Sequence, residues 1–240
     1  MSRTLAIGDI HEPWSRKGYL QFCRDLHEEW DCDAVVFIGD IVDFHAISFH
    51  QREPNAPGPL KEYELALERV ARWYEAFPEA TVCLGNHDLR VLRRARSVDI
   101  PDVFIKSHAE VWKTPEWVWV DSTIVDNVYY YHGDGQGGKY PASNAVGKML
   151  MSCVLGHNHT ASGTKFFANP LQRIFACDTG CGIDDKAIAF AYAGNTKQRS
   201  ILSAAVVIDG VPYVEPMPCG KGEKYHDSKF KKRRRSRYVN

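Results

Sequence analysis

The amino-terminal part of the chain alternates short apolar runs with longer amphipathic stretches. The apolar runs are Thr4–Ile7, Ala34–Ile38 and Thr81–Leu84. Such runs, rich in aliphatic and β-branched side chains, are typical of buried strands. The stretches between them carry apolar side chains at helical spacing: Tyr19, Cys23, Leu26 and Trp30, then Tyr63, Leu67, Val70, Trp73 and Phe77 between Pro59 and Pro78. This order of strands and helices predicts a parallel sheet with right-handed crossovers.

The second half of the chain has more strands and fewer helices. Its pattern predicts strands at Glu116–Val125, Val128–Tyr131, Cys153–Leu155, Arg173–Cys177, Ser203–Ile208 and Val211–Val214, and a helix at Ala142–Met151. Asp209-Gly210 joins the last two strands and is typical of a hairpin turn. We expect Phe44–Pro59 and Ser97–Pro115 to be loops at the rim. The whole pattern predicts an α/β fold in which two mixed β-sheets pack as a β-sandwich flanked by helices.

Length and composition fit a single globular domain. The 240 residues are within the size of one hydrophobic core, and 44% of them are hydrophobic. No apolar run reaches the roughly 20 residues that a membrane-spanning helix needs, and the amino terminus has no secretory pattern. We therefore expect a cytoplasmic protein without membrane contact. The seven cysteines are scattered, so we expect them to be reduced and buried rather than metal ligands.

Charge divides the chain into two parts. The formal net charge is zero, but residues 227–240 contain seven basic residues and one acid, which leaves the preceding part at −6. We predict a folded catalytic domain over residues 1–226 and a disordered basic tail over 227–240. The run from Lys229 to Arg237 is a candidate nucleic-acid contact. A solvated tail or a localisation signal would have the same composition.

Five predicted strands end in clusters of glycine and polar side chains. The clusters are Gly8-Asp9-Ile10-His11, Gly39-Asp40, Gly85-Asn86-His87-Asp88, His132-Gly133-Asp134 and Gly156-His157-Asn158-His159. Polar groups at the carboxyl ends of strands gather along one crevice of an open sheet. In Asp-x-His and His-x-His, two side chains of one extended segment point the same way. Carboxylate, amide and imidazole ligands together suit borderline cations such as manganese, iron or zinc.

Each cluster alone has an ordinary explanation. An isolated Gly-Asp is commonly a turn, and a lone histidine is commonly a surface or core residue. Five such clusters at strand ends in one chain indicate a metal centre rather than coincidence.

These motifs, in this order, resemble the signature of the calcineurin-like metallophosphoesterases. The resemblance covers residues 8–159 and implies a β-sandwich flanked by helices around two divalent cations. By resemblance, one cation is held by Asp9, His11 and His159, the other by Asn86, His132 and His157, and Asp40 bridges them. Manganese is the expected metal, with iron, zinc, nickel or magnesium as alternatives.

The resemblance also implies a mechanism. A metal-bridging hydroxide would attack phosphorus, and the two cations would clamp the phosphoryl oxygens. His87 would protonate the leaving group, and Asp43 would orient His87. Asp88 is expected to be structural.

One departure from the family pattern bears on the substrate. The protein-phosphatase branch of the family has arginine after the position of Asp43, where it grips phosphate, and this chain has Phe44. We therefore predict a phosphodiesterase acting on a nucleotide or nucleic acid. The alternatives are a phosphomonoesterase, for small molecules or proteins, and, more remotely, a non-catalytic scaffold of the same fold.

Several further residues are candidate substrate contacts. Arg90, with Arg93 and Arg94, could bind phosphate or form a solvated helix face. Trp14 and Phe44 could stack on a base or pack under the rim loops. Gly133 and Gly135 belong to a segment, 133–139, that resembles a phosphate-binding loop but is followed by tyrosine instead of serine or threonine. Its N–H groups could still face a phosphate.

Asp178-Thr179-Gly180 resembles one half of an aspartic-protease site and is expected to close a strand.

Overall fold

The computed structural model describes residues 2–49, 53–184 and 199–218. Its strands are β1 (Arg3–Ile7), β2 (Ala34–Phe37), β3 (Ala80–Cys83), β4 (Trp117–Val120), β5 (Ser122–Val125), β6 (Val128–Tyr131), β7 (Ser152–Leu155), β8 (Ser162–Ala168), β9 (Arg173–Thr179), β10 (Ser203–Ile208) and β11 (Val211–Pro216). Its α-helices are α1 (Tyr19–Glu29), α2 (Pro59–Ala76), α3 (Arg90–Arg96), α4 (His108–Trp112) and α5 (Pro141–Met149). Two short 3-10 helices cover His45–Ile47 and Asp102–Phe104.

The strands form two mixed sheets. The first has the order β11-β10-β1-β2-β3-β4, with β1 to β4 parallel and β10 and β11 antiparallel. The second has the order β5-β6-β7-β9-β8, with a parallel centre and an antiparallel strand at each edge. The predicted α/β fold of two mixed sheets flanked by helices is confirmed.

Alternating side chains of the strands build the layers. In β1, Leu5 and Ile7 pack with the helices outside the first sheet, whereas Ala6 faces the second sheet. Val154 and Phe175 of the second sheet meet Ala6 in the core between the sheets. This alternation follows from the two-residue period of a strand. A strand such as β1 can therefore pack against helices with one apolar face and against the other sheet with its second.

Helices cover both outer faces. On the first sheet, Trp73 of α2 is buried and its ring lies 5.8 Å from that of Phe37. On the second sheet, Ala142 and Ala145 of α5 pack against Leu155 and other side chains of β7 and β9. The order of layers is therefore helix, sheet, sheet, helix.

The prediction of one strand over Glu116–Val125 is wrong. The chain breaks at Asp121 into β4, which pairs with β3 in the first sheet, and β5, which pairs with β6 in the second. Apolar character continues across the break, so periodicity could not show the change of sheet. The crossing joins the two sheets at one edge.

The predicted rim loops contain short helices that the sequence analysis did not assign. Ser97–Pro115 includes the second 3-10 helix and α4, where Ser107 and Glu110 form a capping box. Phe44–Pro59 includes the first 3-10 helix, and its residues 50–52 lie outside the described part. Strand β8 was also missed, because it is a largely exposed edge strand without clean alternation.

Other predictions concern turns, cysteines and the tail. The Asp209-Gly210 hairpin is confirmed, with φ of 49° and 70° at its two residues, as a type I′ turn requires. The six cysteines among the described residues are buried, and they form no disulfide there. In the described ranges, no helix has the length and apolar character to span a membrane. The proposed tail, 227–240, lies outside these ranges, so its boundary stays a prediction.

Candidate metal centre

Loops at one edge of both sheets gather the predicted ligands. The loops that follow β1, β2 and β3 carry Asp9 and His11, Asp40, and Asn86; those that follow β6 and β7 carry His132, and His157 and His159. The parallel strands of each sheet end at the same edge, and the packing of the sheets brings the two edges together. Asp9, His11, Asp40 and His132 are almost completely buried.

The backbone at these strand ends is unusual. Asp9, His11, Asp40 and His157 have φ between 49° and 66°, in the left-handed region that non-glycine residues rarely adopt. Such conformations cost roughly 1–3 kcal/mol each and cluster at functional sites. A Cβ on Gly85 would collide with the main chain and carboxylate of Asp40. The glycine before the ligand is therefore required for close approach, as the sequence pattern predicts.

The first cluster consists of Asp9, His11 and His159. His159 Nε2 lies 3.1 Å from His11 Nε2 and 3.3 Å from Asp9 Oδ1. The distance from His11 Nε2 to Asp9 Oδ1 is 3.9 Å. Both carboxylate oxygens of Asp9 accept the His157 N–H, at 3.0 and 2.9 Å, which joins this cluster to the loop of the second.

The second cluster consists of Asp40, Asn86, His132 and His157. His132 Nε2 lies 3.1 Å from Asn86 Oδ1 and 3.1 Å from His157 Nδ1. It also lies 3.3 Å from Asp40 Oδ2. Four polar atoms from both sheets thus face one point.

Asp40 is common to both clusters. Its Oδ2 lies 3.6 Å from His11 Nε2 and 3.3 Å from His132 Nε2. Its Oδ1 accepts the main-chain N–H of His87 at 2.8 Å. One oxygen is therefore held by the backbone while the other points between the clusters, where a bridging ligand would lie.

The separations between ligand atoms fit metal coordination. Bonds of about 2.1 Å to a tetrahedral or octahedral cation place neighbouring ligand atoms roughly 3.0–3.4 Å apart. Most of the ligand-atom distances quoted above lie in or near this range. Two groups, Asp9-His11-His159 and Asp40-His132-His157, have all their ligand atoms within 4.8 Å of one another. The site is suited to two divalent cations with mixed nitrogen and oxygen ligands.

Hydrogen bonds behind the ligands orient the imidazoles. His11 Nδ1 lies 2.9 Å from Asp43 Oδ1, and His132 Nδ1 lies 2.9 Å from the carbonyl oxygen of Ile38. In each ring Nδ1–H donates, which directs Nε2 at the cluster. This arrangement is typical of metal-binding histidines.

The charges of the cluster residues are strongly coupled. Burial opposes ionisation of Asp9 and Asp40, but facing histidines outweigh it and hold the pKa of both carboxyl groups well below the ordinary range. Burial opposes protonation of His11 and His132, but Asp43 and Asp9 raise the pKa of His11 to about 10, and Asp40 raises that of His132 to about 10. The carboxylates and the imidazolium groups thus stabilise each other, and a cation that binds to these histidines would replace their Nε2 protons.

His87 lies beside the clusters with both ring nitrogens engaged. Its Nδ1 is 2.9 Å from the Asp43 carbonyl oxygen and 3.0 Å from Asp43 Oδ1. Its Nε2 is 3.0 Å from Nη2 of Arg90, which can only donate. His87, Asp40 and His11 also have ligand atoms within 4.8 Å of one another. Because Arg90 occupies the Nε2 lone pair, we interpret His87 as a neighbour of the centre rather than as a ligand.

Asp88 has the structural position expected for it. Its Oδ1 accepts the N–H groups of Ile41 and Val42 at 3.0 and 3.3 Å, and its Oδ2 accepts that of Gly85 at 2.9 Å. Burial and the charge of Asp40 raise its pKa to about 7. Asp88 therefore ties the loop after β2 to the loop after β3.

The aromatic and glycine candidates differ in burial and in their neighbours. The centroid of the Phe44 ring lies 5.5 Å from that of Trp112. Of the two roles that the sequence analysis considered for Phe44, this contact favours packing under a rim loop. Trp14 is half-buried, and its main-chain N–H donates to His11 O at 2.8 Å. Gly133 is buried close to Leu155, whereas Gly135 is exposed with open space around it.

The three arginines of α3 that are candidate phosphate contacts differ in their surroundings. Arg90 is 7% exposed, and its Nη1 donates to the Asp43 carbonyl oxygen at 2.6 Å. Arg94 Nε donates to Ile47 O at 2.9 Å, and its guanidinium lies 3.9 Å from the centroid of the Phe49 ring. Arg93 lies 5.1 Å from the same centroid. Only Arg90 contacts the centre, while Arg94 holds the loop after Asp43.

Fold and site together define an α/β protein with a candidate two-cation centre at the joint edge of a β-sandwich. A sequence model of the calcineurin-like phosphoesterases matches residues 2–180. This match covers most of the 240 residues, and the chain belongs to the calcineurin-like phosphoesterase family. The resemblance in the motifs is thereby confirmed, and the protein is a metal-dependent phosphoesterase.

Similar solved structures have low sequence identity. They include a metallophosphoesterase from Sphaerobacter thermophilus, with 14% identity, coverage of 100% of this chain and 95% of that chain, and a TM-score of 0.48. The phosphoesterase Yfce from E. coli has 14% identity, coverage of 88% and 90%, and a TM-score of 0.41. Vps29 from Chaetomium thermophilum has 9% identity, coverage of 94% and 94%, and a TM-score of 0.49. No curated protein sequence matches the chain. The family assignment therefore comes from the sequence match.

Proposed function

We propose that the protein hydrolyses phosphodiesters of the nucleotide or nucleic-acid class, with manganese as its metal. The position of Arg90 carries this proposal. Its buried guanidinium stands beside His87, where a phosphoryl oxygen would approach. A diester carries a single negative charge, and one arginine together with two cations can match it. A monoester dianion would favour the second arginine that Phe44 replaces.

The metals supply charge neutralisation of the phosphoryl group and, by lowering the pKa of water, a nucleophile near neutral pH. The protein residues do the rest. Arg90 Nη1 is fixed by the Asp43 carbonyl oxygen, so Nη2 is the group free to turn from His87 towards an oxygen of the substrate. Arg90 is thereby held at Nη1 while Nη2 can contact a phosphate.

His87 and Asp43 handle the leaving group. Burial lowers the pKa of His87 despite the nearby carboxylates, so the neutral imidazole predominates at pH 7 before substrate arrives. An anionic phosphoryl group in front of Nε2 favours its protonated form, which can then give that proton to the leaving oxygen. Asp43 stays ionised, since hydrogen bonds from His11 and His87 outweigh its burial and lower its pKa, and it stabilises the imidazolium.

Model substrates with one leaving group test the preference. With manganese, we expect a higher kcat/KM for bis-p-nitrophenyl phosphate than for p-nitrophenyl phosphate. Arg90→Ala should lower kcat/KM for the diester by roughly 10- to 100-fold, with partial recovery in Arg90→Lys. Arg93→Ala is the matched control, because Arg93 lies on the same helix beside Phe49. Faster hydrolysis of the monoester would instead support a phosphomonoesterase.

The natural substrate class needs a wider panel. Cyclic nucleotides, dinucleoside polyphosphates and single-stranded DNA cover the nucleotide and nucleic-acid possibilities. We also propose that the basic run from Lys229 to Arg237 adds salt-sensitive affinity for nucleic acid. Deleting residues 227–240 should weaken DNA or RNA binding at low salt and leave small-substrate turnover unchanged. Equal binding by the shortened protein would rule out this role.

A further inference from the structure

A cavity of about 410 Å³ opens between α5, β8 and the loop that follows β7. Its lining includes Lys139, Tyr140, Ser143, Thr164, Lys165 and Asp178. None of the predicted metal ligands lines it. It therefore differs from the metal centre in both residues and position.

Two ammonium groups surround one aromatic ring in this cavity. Lys139 Nζ lies 5.2 Å and Lys165 Nζ 5.7 Å from the centroid of the Tyr140 ring. Among residues 2–49, 53–184 and 199–218, neither ammonium group has a carboxylate within 4.0 Å. Lys165 Nζ also lies 5.1 Å from the centroid of the Phe167 ring. Within the described residues, the two ammonium groups beside Tyr140 give this side of the cavity a positive potential.

The lining that the structure describes also includes an acid, Asp178. Asp178 Oδ1 accepts the Ala142 N–H at the start of α5, at 3.3 Å. Burial raises the pKa of Asp178 to about 6, so the group is still mostly ionised at neutral pH and carries one negative charge against the two positive charges of the lysines. The two lysines therefore outweigh it.

Tyr140 presents a flat apolar surface to solvent. It is 54% exposed and immediately precedes the nine-residue helix α5, whose Asn144 N–H donates to the Tyr140 carbonyl oxygen at 3.1 Å. The hydroxyl groups of Ser143 and Thr164 add hydrogen-bonding partners around the ring. An aromatic face, cations and hydroxyls together match a nucleotide, in which a base can stack and a phosphate can pair.

The cavity adjoins the metal centre along the chain. Thr160, which lines the cavity, directly follows His159. Asn158 Nδ2 donates to Gln136 O at 3.0 Å, joining the loop of His157 and His159 to the glycine-rich segment 133–139 that ends at Lys139. One connected pair of loops thus carries ligands of the centre and a wall of the cavity.

We propose that this cavity binds a nucleoside phosphate, namely the nucleotide unit that flanks the scissile phosphodiester. The proposal rests on the diesterase function and narrows its substrate to compounds with a second phosphate. Lys139 and Lys165 bind that phosphate, and Tyr140 stacks on the base. Lys139, the last residue of the glycine-rich segment 133–139, would thus bind a phosphate although the phosphate-binding motif is incomplete.

Binding of AMP to the manganese-loaded protein tests the cavity without turnover. By calorimetry, we expect the double variant Lys139→Ala/Lys165→Ala to bind AMP at least about 10-fold more weakly. Tyr140→Ala should weaken binding of AMP but leave that of inorganic phosphate unchanged. The double variant Lys61→Ala/Lys106→Ala is the charge-matched control, because both lysines are exposed and neither lines the cavity. Unchanged AMP affinity in the double variant, as expected if AMP binds only at the metal centre, would overturn the proposal.

Turnover of a dinucleotide with and without a 5′-phosphate separates the cavity from the diesterase. The wild type should prefer the phosphorylated dinucleotide in kcat/KM, and the double variant should lose this preference while hydrolysing bis-p-nitrophenyl phosphate normally. A preference that survives in the double variant would contradict the proposal. Absence of any diester hydrolysis, with AMP binding still dependent on the lysines, would instead refute the proposed function.

Discussion

The two ligand clusters of the centre are similar in composition but differ in what stands behind them. In the first, His11 is backed by the carboxylate of Asp43, which also contacts His87. In the second, His132 is backed by the carbonyl oxygen of Ile38. A carboxylate makes an imidazole a stronger metal ligand than a neutral carbonyl does. The first cluster therefore shares its supporting carboxylate with His87, whereas the second is supported by the main chain directly after β2.

Removal of Asp40 should affect metal binding at both clusters equally, because its Oδ2 faces both. We expect Asp40→Ala to lose both cations and to reduce phosphoesterase activity to background. Elemental analysis of the purified variant gives the metal content. Asp134→Ala is the control, since Asp134 is an exposed acid near His132. Full metal content in Asp40→Ala would show that the clusters bind independently.

Removal of His87 should affect only the chemistry that accompanies the first cluster. We expect His87→Ala to retain two cations and to lower kcat by roughly 100-fold or more, because the leaving group loses its proton donor. Steady-state kinetics and metal analysis on the same preparation measure both effects. His27→Ala, which removes an imidazole of α1, is the control. Loss of a cation would identify His87 as a ligand.

Replacing the Asp43 carboxylate behind His11 should weaken manganese binding at the first cluster but not at the second. Asparagine keeps the size of Asp43 and can still accept the His11 Nδ1–H, but it lacks the charge. We expect Asp43→Asn to weaken one of two manganese-binding steps by about 10- to 100-fold and to leave the other unchanged. Calorimetric titration of the metal-free protein resolves the steps. Equal weakening of both would show that the carboxylate acts on the whole centre.

Asp178 is a half-buried carboxyl group, and its pKa shift is opposite in direction to those of Asp9 and Asp40. Burial raises the pKa of Asp178 to about 6, above its unfolded value of 3.8, so folding favours the protonated form and ionisation destabilises the native state. Asp178→Asn removes that penalty. Because part of the group faces solvent, we expect about 1 kcal/mol, or a Tm increase of roughly 2–4 °C, at pH 8.

The pH dependence distinguishes this penalty from a packing effect. The penalty is fully present above pH 6 and declines as the pH falls towards 4, where the unfolded carboxyl group is also protonated. The Tm difference between Asp178→Asn and the wild type should therefore shrink between pH 8 and pH 4. A difference that stays constant over this range would contradict the assigned cause.

The sequence alone indicated the ligand-bearing loops because those features are local. A glycine that permits close approach and a polar side chain after a strand occupy a few consecutive positions, as in the segment 156–159. The alternation of strand and helix likewise gave the parallel part of the first sheet. Side-chain chemistry and short-range backbone geometry are properties that neighbouring residues specify together.

The partners behind the ligands required the tertiary structure. Asp43 meets His11 across 32 positions of the chain, and His132 meets Ile38 across 94. Similarly, the switch between sheets at Asp121 and the edge strand β8 depend on packing that local periodicity does not encode. The sequence therefore determined which side chains are candidate metal ligands. Only the packing of the two sheets decided which groups hydrogen-bond to those side chains from behind, because contacts between distant segments depend on the whole fold.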